Sequence, residues 1–212
     1  MKVVIYVEGA SDKAALTTLL RDLLERKGER GIQIEFYESP QGNKKKTLLE
    51  KVPLRAANIL LNAPETIVVA LPDLYPKNVG FDHETPEQLI AGVSESFRSA
   101  LQRMRIDDER IVERFKVFCL KHDLEALILA AEEPLAQRLG TKKFAKDWTR
   151  PVEDQNNDKP PKRVVEQLFA LHGQFYREAI DAPLILGRAD YRDIAERCDQ
   201  CFKPFVEFLE GL

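Results

Sequence analysis

Apolar residues occur along the chain in short continuous runs, separated by segments with helical spacing. Residues 3–7 and 66–71 are apolar throughout, which is typical of strands that are covered on both faces in a parallel sheet. Residues 32–37 alternate between apolar and polar side chains and predict a strand nearer the sheet edge. Residues 113–120 predict a fourth strand. The pattern therefore predicts an α/β fold with a parallel sheet of about four strands flanked by helices.

Helical spacing predicts the segments that connect these strands. Residues 15–24, 48–60 and 86–105 each place apolar side chains on one face of a helix. Ser11 or a neighbouring residue is the expected cap of the first helix. Pro53 is expected to kink or interrupt the second.

The last third of the chain is predicted to be a helical elaboration. A short helix closes at Gly140, and residues 141–161 form a polar segment that we expect to fold back over the functional site. Residues 182–187 predict a short link before the last helices. We therefore divide the chain into an α/β core and a loop with a helical C-terminal extension packed on the same domain, at residues 1–140 and 141–212.

Composition excludes several classes of protein. The chain has 212 residues, of which 44% are hydrophobic, and a net charge of −3, so its total charge does not mark it as a nucleic-acid binder. No window approaches the roughly eighteen apolar residues of a membrane span. Met1-Lys2 leads directly into the first strand without a secretory segment, so we expect a cytoplasmic protein with no membrane association.

The cysteine pattern does not favour a metal knuckle. Cys198 and Cys201 have the spacing of one, but no second pair completes four ligands. The helical pattern of residues 191–208 favours two thiols on a helix instead.

Two acidic residues follow the two fully apolar strands. Glu8 comes directly after the first strand, and Asp73 follows the third. Neighbouring parallel strands lie roughly 5 Å apart, so carboxylates at their ends can share one divalent cation. This pairing is the strongest signal for a functional site that the residues provide.

A third group of candidate residues opens the helix after the fourth strand. Glu125 lies in the first turn of that helix, close to the edge where Glu8 and Asp73 are expected. Asp123 is interpreted as the helix N-cap, and Asp12 as a carboxylate at a helix N-terminus. Both are secondary candidates for the site. His122 is either a ligand or a capping or packing residue.

Positive charge is concentrated locally. Lys44, Lys45 and Lys46 lie in a polar loop after the second strand, which either holds a phosphate or is a solvated loop. Lys162 and Arg163 form a second group, with the same two alternatives.

These motifs resemble a TOPRIM-type domain, the metal-binding fold shared by topoisomerases, primases and the nucleases of the OLD family. The resemblance rests on Val7-Glu8-Gly9 followed by Asp12, on Asp73, and on the stretch from Leu120 to Leu127. More closely, the chain resembles a bacterial TOPRIM-like family described as a domain of unknown function. The segments Asn157 to Val164 and Cys198 to Phe202 are similar to motifs of that family.

The resemblance implies a metal site at the carboxyl edge of the sheet, a nucleic-acid substrate, DNA in our interpretation, and a nearby-encoded ABC- or AAA-type ATPase as partner. TOPRIM domains carry a DxD motif, whereas this chain has Asp73 followed by Tyr75 in place of the second aspartate. The likeness to OLD-type nucleases suggests Glu125 as the replacement ligand.

The resulting hypothesis is a nuclease that depends on Mg²⁺ or Mn²⁺. Glu8, Asp73 and Glu125 would hold the metal, because hard cations prefer oxygen ligands. Glu8 could instead relay a proton. Lys162 would stabilise negative charge on the scissile phosphate, and the lysine loop with Arg163 would bind the nucleic-acid backbone.

Two alternatives stay open. The chain could be a non-catalytic module that binds metal or nucleotide and docks an ATPase, which the absence of the second DxD aspartate favours. It could also hydrolyse a small phosphoester, because metal-assisted attack does not require a polymer.

Overall fold

The described fold contains a parallel four-stranded sheet. The computed structural model describes residues 1–40, 42–144, 146–155 and 158–212. The strands are β1 Lys2–Val7, β2 Gln33–Glu38, β3 Thr66–Ala70 and β4 Phe115–Val117, and their order in the sheet is β2-β1-β3-β4. All three pairings are parallel. The α/β fold class is therefore confirmed.

The burial of each strand follows its hydrophobic pattern. β1 is central, with Ile5 paired to Phe36 on one side and to Val69 on the other, and its residues 3–7 are all buried. β2 is an edge strand with mostly intermediate or exposed residues, as its alternating pattern predicts. β4 is shorter than predicted at both ends: it starts later because a helix before it includes Glu113, and it ends at Val117.

Helices are the other regular elements of the described fold. In chain order they are α1 Ala10–Leu19, α2 Arg21–Glu29, α3 Lys44–Asn62, α4 Pro86–Arg103, α5 Glu109–Glu113, α6 Glu125–Ala130, α7 Glu132–Leu139, α8 Pro161–Leu171, α9 Glu178–Leu186, α10 Tyr191–Arg197 and α11 Phe202–Gly211, with a 3-10 turn at Val152–Asp154. No helix in the described ranges is long and apolar enough to cross a membrane.

The contacts within the chain group it into two compact units. The first contains Met1–Gly9, Asp22–Leu120 and Leu212, and the second contains Ala10–Arg21 and Lys121–Gly211. The predicted division at residue 140 differs from this grouping and stays a prediction.

Three features of residues 10–62 differ in part from expectation. The single helix predicted over residues 15–24 is two helices, α1 and α2. α3 begins at Lys44 rather than after the lysines, because Asn43 caps it by accepting a hydrogen bond from the Lys46 amide. α3 is not interrupted at Pro53, since burial of its apolar face compensates for the missing N–H donor, and a kink there stays a prediction.

Two features of the second unit also correct the sequence analysis. The predicted link over residues 182–187 lies largely inside α9, which includes Pro183. Cys198 and Cys201 do not lie on one helix, because α10 ends at Arg197 and α11 begins at Phe202.

Of the predicted loop at residues 141–161, Ala145, Asn156 and Asn157 lie outside the described residues, as does Gln41.

Candidate functional site

In the first unit, the carboxyl edge of the sheet brings Glu8 and Asp73 together. β1 ends at Val7, so Glu8 is the first residue beyond it. The chain after β3 stays in register, since the Leu71 amide donates to the Tyr6 carbonyl and Asp73 forms a parallel bridge with Leu120. The Asp73 amide then donates to Oε1 of Glu8 over 3.1 Å. The two acids are thus neighbours, as their positions after adjacent strands predict.

A buried lysine lies beside this pair. The Lys45 side chain is only 4% exposed, and its Nζ donates to the carbonyls of Leu74 at 2.6 Å and Pro76 at 2.5 Å. Burial lowers the pKa of Lys45, while the charges of Glu8 and Asp73 oppose that change. Lys45 therefore differs from the predicted phosphate-binding loop residue, because its ammonium is occupied by carbonyl groups inside the fold.

The two flanking lysines remain on the surface. Lys44 is exposed, and its Nζ lies 2.8 Å from the point that a Cβ on Gly9 would occupy. A side chain at residue 9 would therefore displace this ammonium from the strand end. Lys46 is exposed and forms an ion pair with Glu50 at 3.8 Å. These two lysines keep the exposure that phosphate binding requires.

In the second unit, Asp123 and Glu125 form a buried acidic pair at the start of α6. Glu125 is 1% exposed. Oδ1 of Asp123 and Oε1 of Glu125 are buried and have no hydrogen-bond partner in the part of the chain that the structure describes.

Asp123 is not the helix cap, which corrects the sequence analysis. α6 begins at Glu125, its N-cap position is Leu124, and Asp123 contributes only its carbonyl, which accepts from the Ala126 amide.

Burial makes the charged forms of this pair unfavourable. It raises the pKa of Glu125, and the charges of Asp123 and Glu178 raise it further, while Lys162 opposes them. Burial likewise raises the pKa of Asp123, again against the effect of Lys162. A carboxylate oxygen that accepts no hydrogen bond in such a place is stabilised by a proton or by a cation.

Lys162 supplies part of the missing positive charge. Its Nζ lies 2.5 Å from Oε2 of Glu178 and 4.0 Å from Oε1 of Glu125, and 42% of its side chain is exposed. Burial lowers the pKa of Lys162, but its bond to Glu178 and the neighbouring carboxylates outweigh that effect and raise it. The ammonium therefore stays charged and partly accessible.

Two residues of this cluster were missed by the sequence analysis. Glu178 opens α9, and Tyr176 precedes it. The Tyr176 hydroxyl is buried and has no hydrogen-bond partner within the described ranges. Burial raises its pKa, and the negative charge of Glu125 raises it further. No sequence signal marks either residue, because both lie about fifty positions from Glu125 and belong to no spaced motif.

The secondary candidates have different positions. The charge of Asp12, in the first turn of α1, raises the pKa of Asp123, so it acts on the buried acidic pair. His122 is 3% exposed, and burial lowers its pKa while the backbone at Gln155 and Glu153 opposes that change. Its burial fits the packing alternative, and a role as ligand stays a prediction. Arg163 is exposed on α8.

A further buried carboxylate in the second unit has a structural role. Glu153 is 2% exposed, and its two oxygens accept from the amides of Gln200 at 2.7 Å and Cys201 at 3.0 Å. These amides precede α11, so Glu153 caps that helix. Cys198 is buried nearby, and burial raises the pKa of its thiol.

The donor set fits a hard divalent cation only in part. Within the described ranges, no group of three or more His, Cys, Asp and Glu side chains is arranged to hold a metal ion. Mg²⁺ nevertheless commonly uses one or two carboxylates and completes its shell with water. The unpartnered oxygens of Asp123 and Glu125 fit that requirement. The sharing of one ion by Glu8, Asp73 and Glu125 stays a prediction.

Solved structures with a similar fold include C-terminal regions of OLD proteins from two bacteria. The region from Burkholderia pseudomallei is 17% identical, with a TM-score of 0.47, and the match covers 99% of this chain and 96% of that one. The region from Xanthomonas campestris pv. campestris is 12% identical, with a TM-score of 0.44 and coverage of 98% and 96%.

A comparison with curated proteins found no match. A comparison with family models matched residues 7–210 to the family described as "Domain of unknown function (DUF4276)". This match spans nearly the whole chain. The protein therefore belongs to the DUF4276 family.

Proposed function

We propose that this protein is a phosphodiesterase that cleaves nucleic acid with the help of Mg²⁺ or Mn²⁺. The observation that carries the proposal is the buried pair Asp123 and Glu125: Oδ1 of Asp123 and Oε1 of Glu125 have no hydrogen-bond partner among the described residues, and the Lys162 ammonium lies 4.0 Å from the latter. A folded protein keeps such oxygens buried at a free-energy cost that a bound cation would offset. The motif resemblance to TOPRIM and OLD-type nucleases supports the same chemistry.

The carboxylates are the proposed metal ligands. Glu8 and Asp73 supply oxygens in the first unit, and Glu125, with Asp123, supplies them in the second. A divalent cation held by such oxygens polarises the phosphate and lowers the pKa of a bound water. Glu8, whose Oε1 accepts the Asp73 amide, is proposed as an alternative to relay a proton instead of holding the metal.

The cationic residues are proposed to handle the substrate. Lys162 keeps its proton beside Glu178 and is partly exposed, so it can stabilise charge that develops on the phosphate. Lys44, Lys46 and Arg163 are exposed and would attract the nucleic-acid backbone. Lys45 is not assigned to substrate, because its ammonium is buried. An ATPase partner and DNA as the preferred substrate remain part of the proposal.

One observation favours a second candidate function. Tyr75 stands where the second DxD aspartate is expected, and no cluster of three ligands occurs within the described ranges. A non-catalytic module that binds a metal ion or nucleotide and docks an ATPase would need fewer ligands than a nuclease.

The deciding experiment combines Mn²⁺ titration calorimetry with cleavage of linear DNA, RNA and a small phosphodiester. Asp73→Ala and Glu125→Ala should each abolish measurable Mn²⁺ binding and lower cleavage by about a hundredfold or more, since metal catalysis contributes several kcal/mol. Asp107→Ala, which removes an exposed acid, is the matched control and should behave as wild type. Cleavage that persists in Asp73→Ala would overturn the proposed site. Binding without cleavage of any substrate would favour the non-catalytic module.

A further inference from the structure

Lys45 is buried, whereas the lysines on either side of it are exposed, although all three have the same side chain. Lys44 and Lys46 are exposed, whereas Lys45 is 4% exposed in the first turn of α3. A buried ammonium is unfavourable unless acceptors and negative charges surround it. The surroundings of Lys45 should therefore show why the fold keeps it there.

The two acceptors of Lys45 belong to the segment that follows Asp73. Its Nζ donates to the carbonyls of Leu74 and Pro76, at 2.6 and 2.5 Å. The same segment is tied to the sheet through the Leu74 amide, which donates to the Leu120 carbonyl at 2.7 Å. Lys45 thus connects the start of α3 to the segment that carries Asp73.

The charges of the Glu8 and Asp73 carboxylates and of the Cys119 thiol raise the pKa of Lys45 against the effect of burial. Glu8 and Asp73 both act on its ammonium and favour its charged form against burial. The same pair is held together by the Asp73 amide, which donates to Glu8 Oε1. Like charges at one strand edge repel each other, and an ammonium bonded to the Leu74 carbonyl, next to Asp73, reduces that repulsion.

We propose that Lys45 is a positioning residue that acts as the internal counter-cation of Glu8 and Asp73, holding this pair in place before a divalent cation binds. The inference rests on the proposed function, because it assigns the pair to metal binding. The ammonium neutralises part of the charge in the metal-free protein, and it opposes an arriving cation. Removal of its charge should therefore destabilise the metal-free protein and strengthen metal binding.

A double-mutant cycle in the metal-free protein tests the charge interaction by itself. Lys45→Gln removes the charge but keeps an N–H donor, and we expect it to lower the Tm by about 3 °C or more. In the Asp73→Asn background the same substitution should lower the Tm by less than half as much, because part of the negative charge is already gone. Lys46→Gln is the matched control and should be neutral in both backgrounds. Additive effects would overturn the inference.

Mn²⁺ titration of the same proteins separates this inference from the proposed function. If Lys45 acts through its charge, Lys45→Gln should bind Mn²⁺ roughly tenfold more tightly than wild type. A residue that only braces the backbone would leave the affinity unchanged or weaken it, and that result would overturn the inference. Failure of the wild type to bind Mn²⁺ would overturn the proposed metal site, while the metal-free cycle would still decide whether Lys45 neutralises the pair. Should Lys45→Gln not fold, recovery of folding in Lys45→Gln with Asp73→Asn would support the inference, and continued failure would overturn it.

Discussion

Glu125 and Glu153 lie in the same unit and are buried to the same extent, at 1% and 2% exposure, but their surroundings differ in one respect. Both oxygens of Glu153 accept hydrogen bonds from backbone amides, whereas Oε1 of Glu125 has no such partner within the described ranges. Burial raises the pKa of both residues, but only Glu153 has amides that oppose the rise. Burial alone therefore does not identify a carboxylate as functional. A structural carboxylate differs in accepting hydrogen bonds from backbone amides.

The largest expected effect comes from removing the charge of Glu125. Glu125→Gln should stabilise the metal-free protein by about 2 kcal/mol near pH 8, because the charged form is unfavourable in the folded state. A carboxyl group whose pKa is raised on folding binds more protons when folded, so wild-type stability should fall as the pH rises from about 5 to about 8. Urea unfolding at several pH values measures both effects.

The pH dependence of the free energy of unfolding can contradict this prediction. Glu125→Gln should flatten the fall in stability with pH, and Glu166→Gln, which removes an exposed carboxylate on α8, should leave it as in wild type. A Glu125→Gln variant that is less stable than wild type at every pH would mean that the charge of Glu125 has partners that stabilise it.

The opposite sign is expected for Glu153. Glu153→Gln replaces one acceptor oxygen with an NH₂ group that faces a backbone amide, so one amide before α11 loses its partner. The metal-free protein should lose about 1 kcal/mol of stability, the usual magnitude for a lost cap. The same urea unfolding series measures it. A gain in stability would show that discharging any buried carboxylate of this unit is favourable, and the distinction between the two glutamates would fail.

The features that the sequence predicts are those that depend on local pattern. Uninterrupted apolar runs identify the central strands, and acids that directly follow those strands meet because parallel strands share one edge. Lys45 could not be placed, because its acceptors lie 29 and 31 positions away and are backbone carbonyls, which any residue carries. Glu178 joins Glu125 through tertiary packing alone. Asp123 was also wrongly predicted to cap a helix, because aspartate is common both at helix N-caps and in acidic sites.

The smallest expected effect concerns Lys162, which tests how far the acidic pair depends on a neighbouring cation. Lys162→Met should lower the stability of the metal-free protein by about 0.5 kcal/mol near pH 8, a small value because solvent screens the partly exposed ammonium. Near pH 5 the loss should be smaller, because Asp123 and Glu125 take up protons more readily than ordinary carboxyl groups and then attract Lys162 less, leaving mainly its ion pair with Glu178. Lys159→Met, at an exposed position, is the control for surface charge. An equal loss at both pH values would mean that Lys162 serves only Glu178, and that the buried pair relies on a cation from solution.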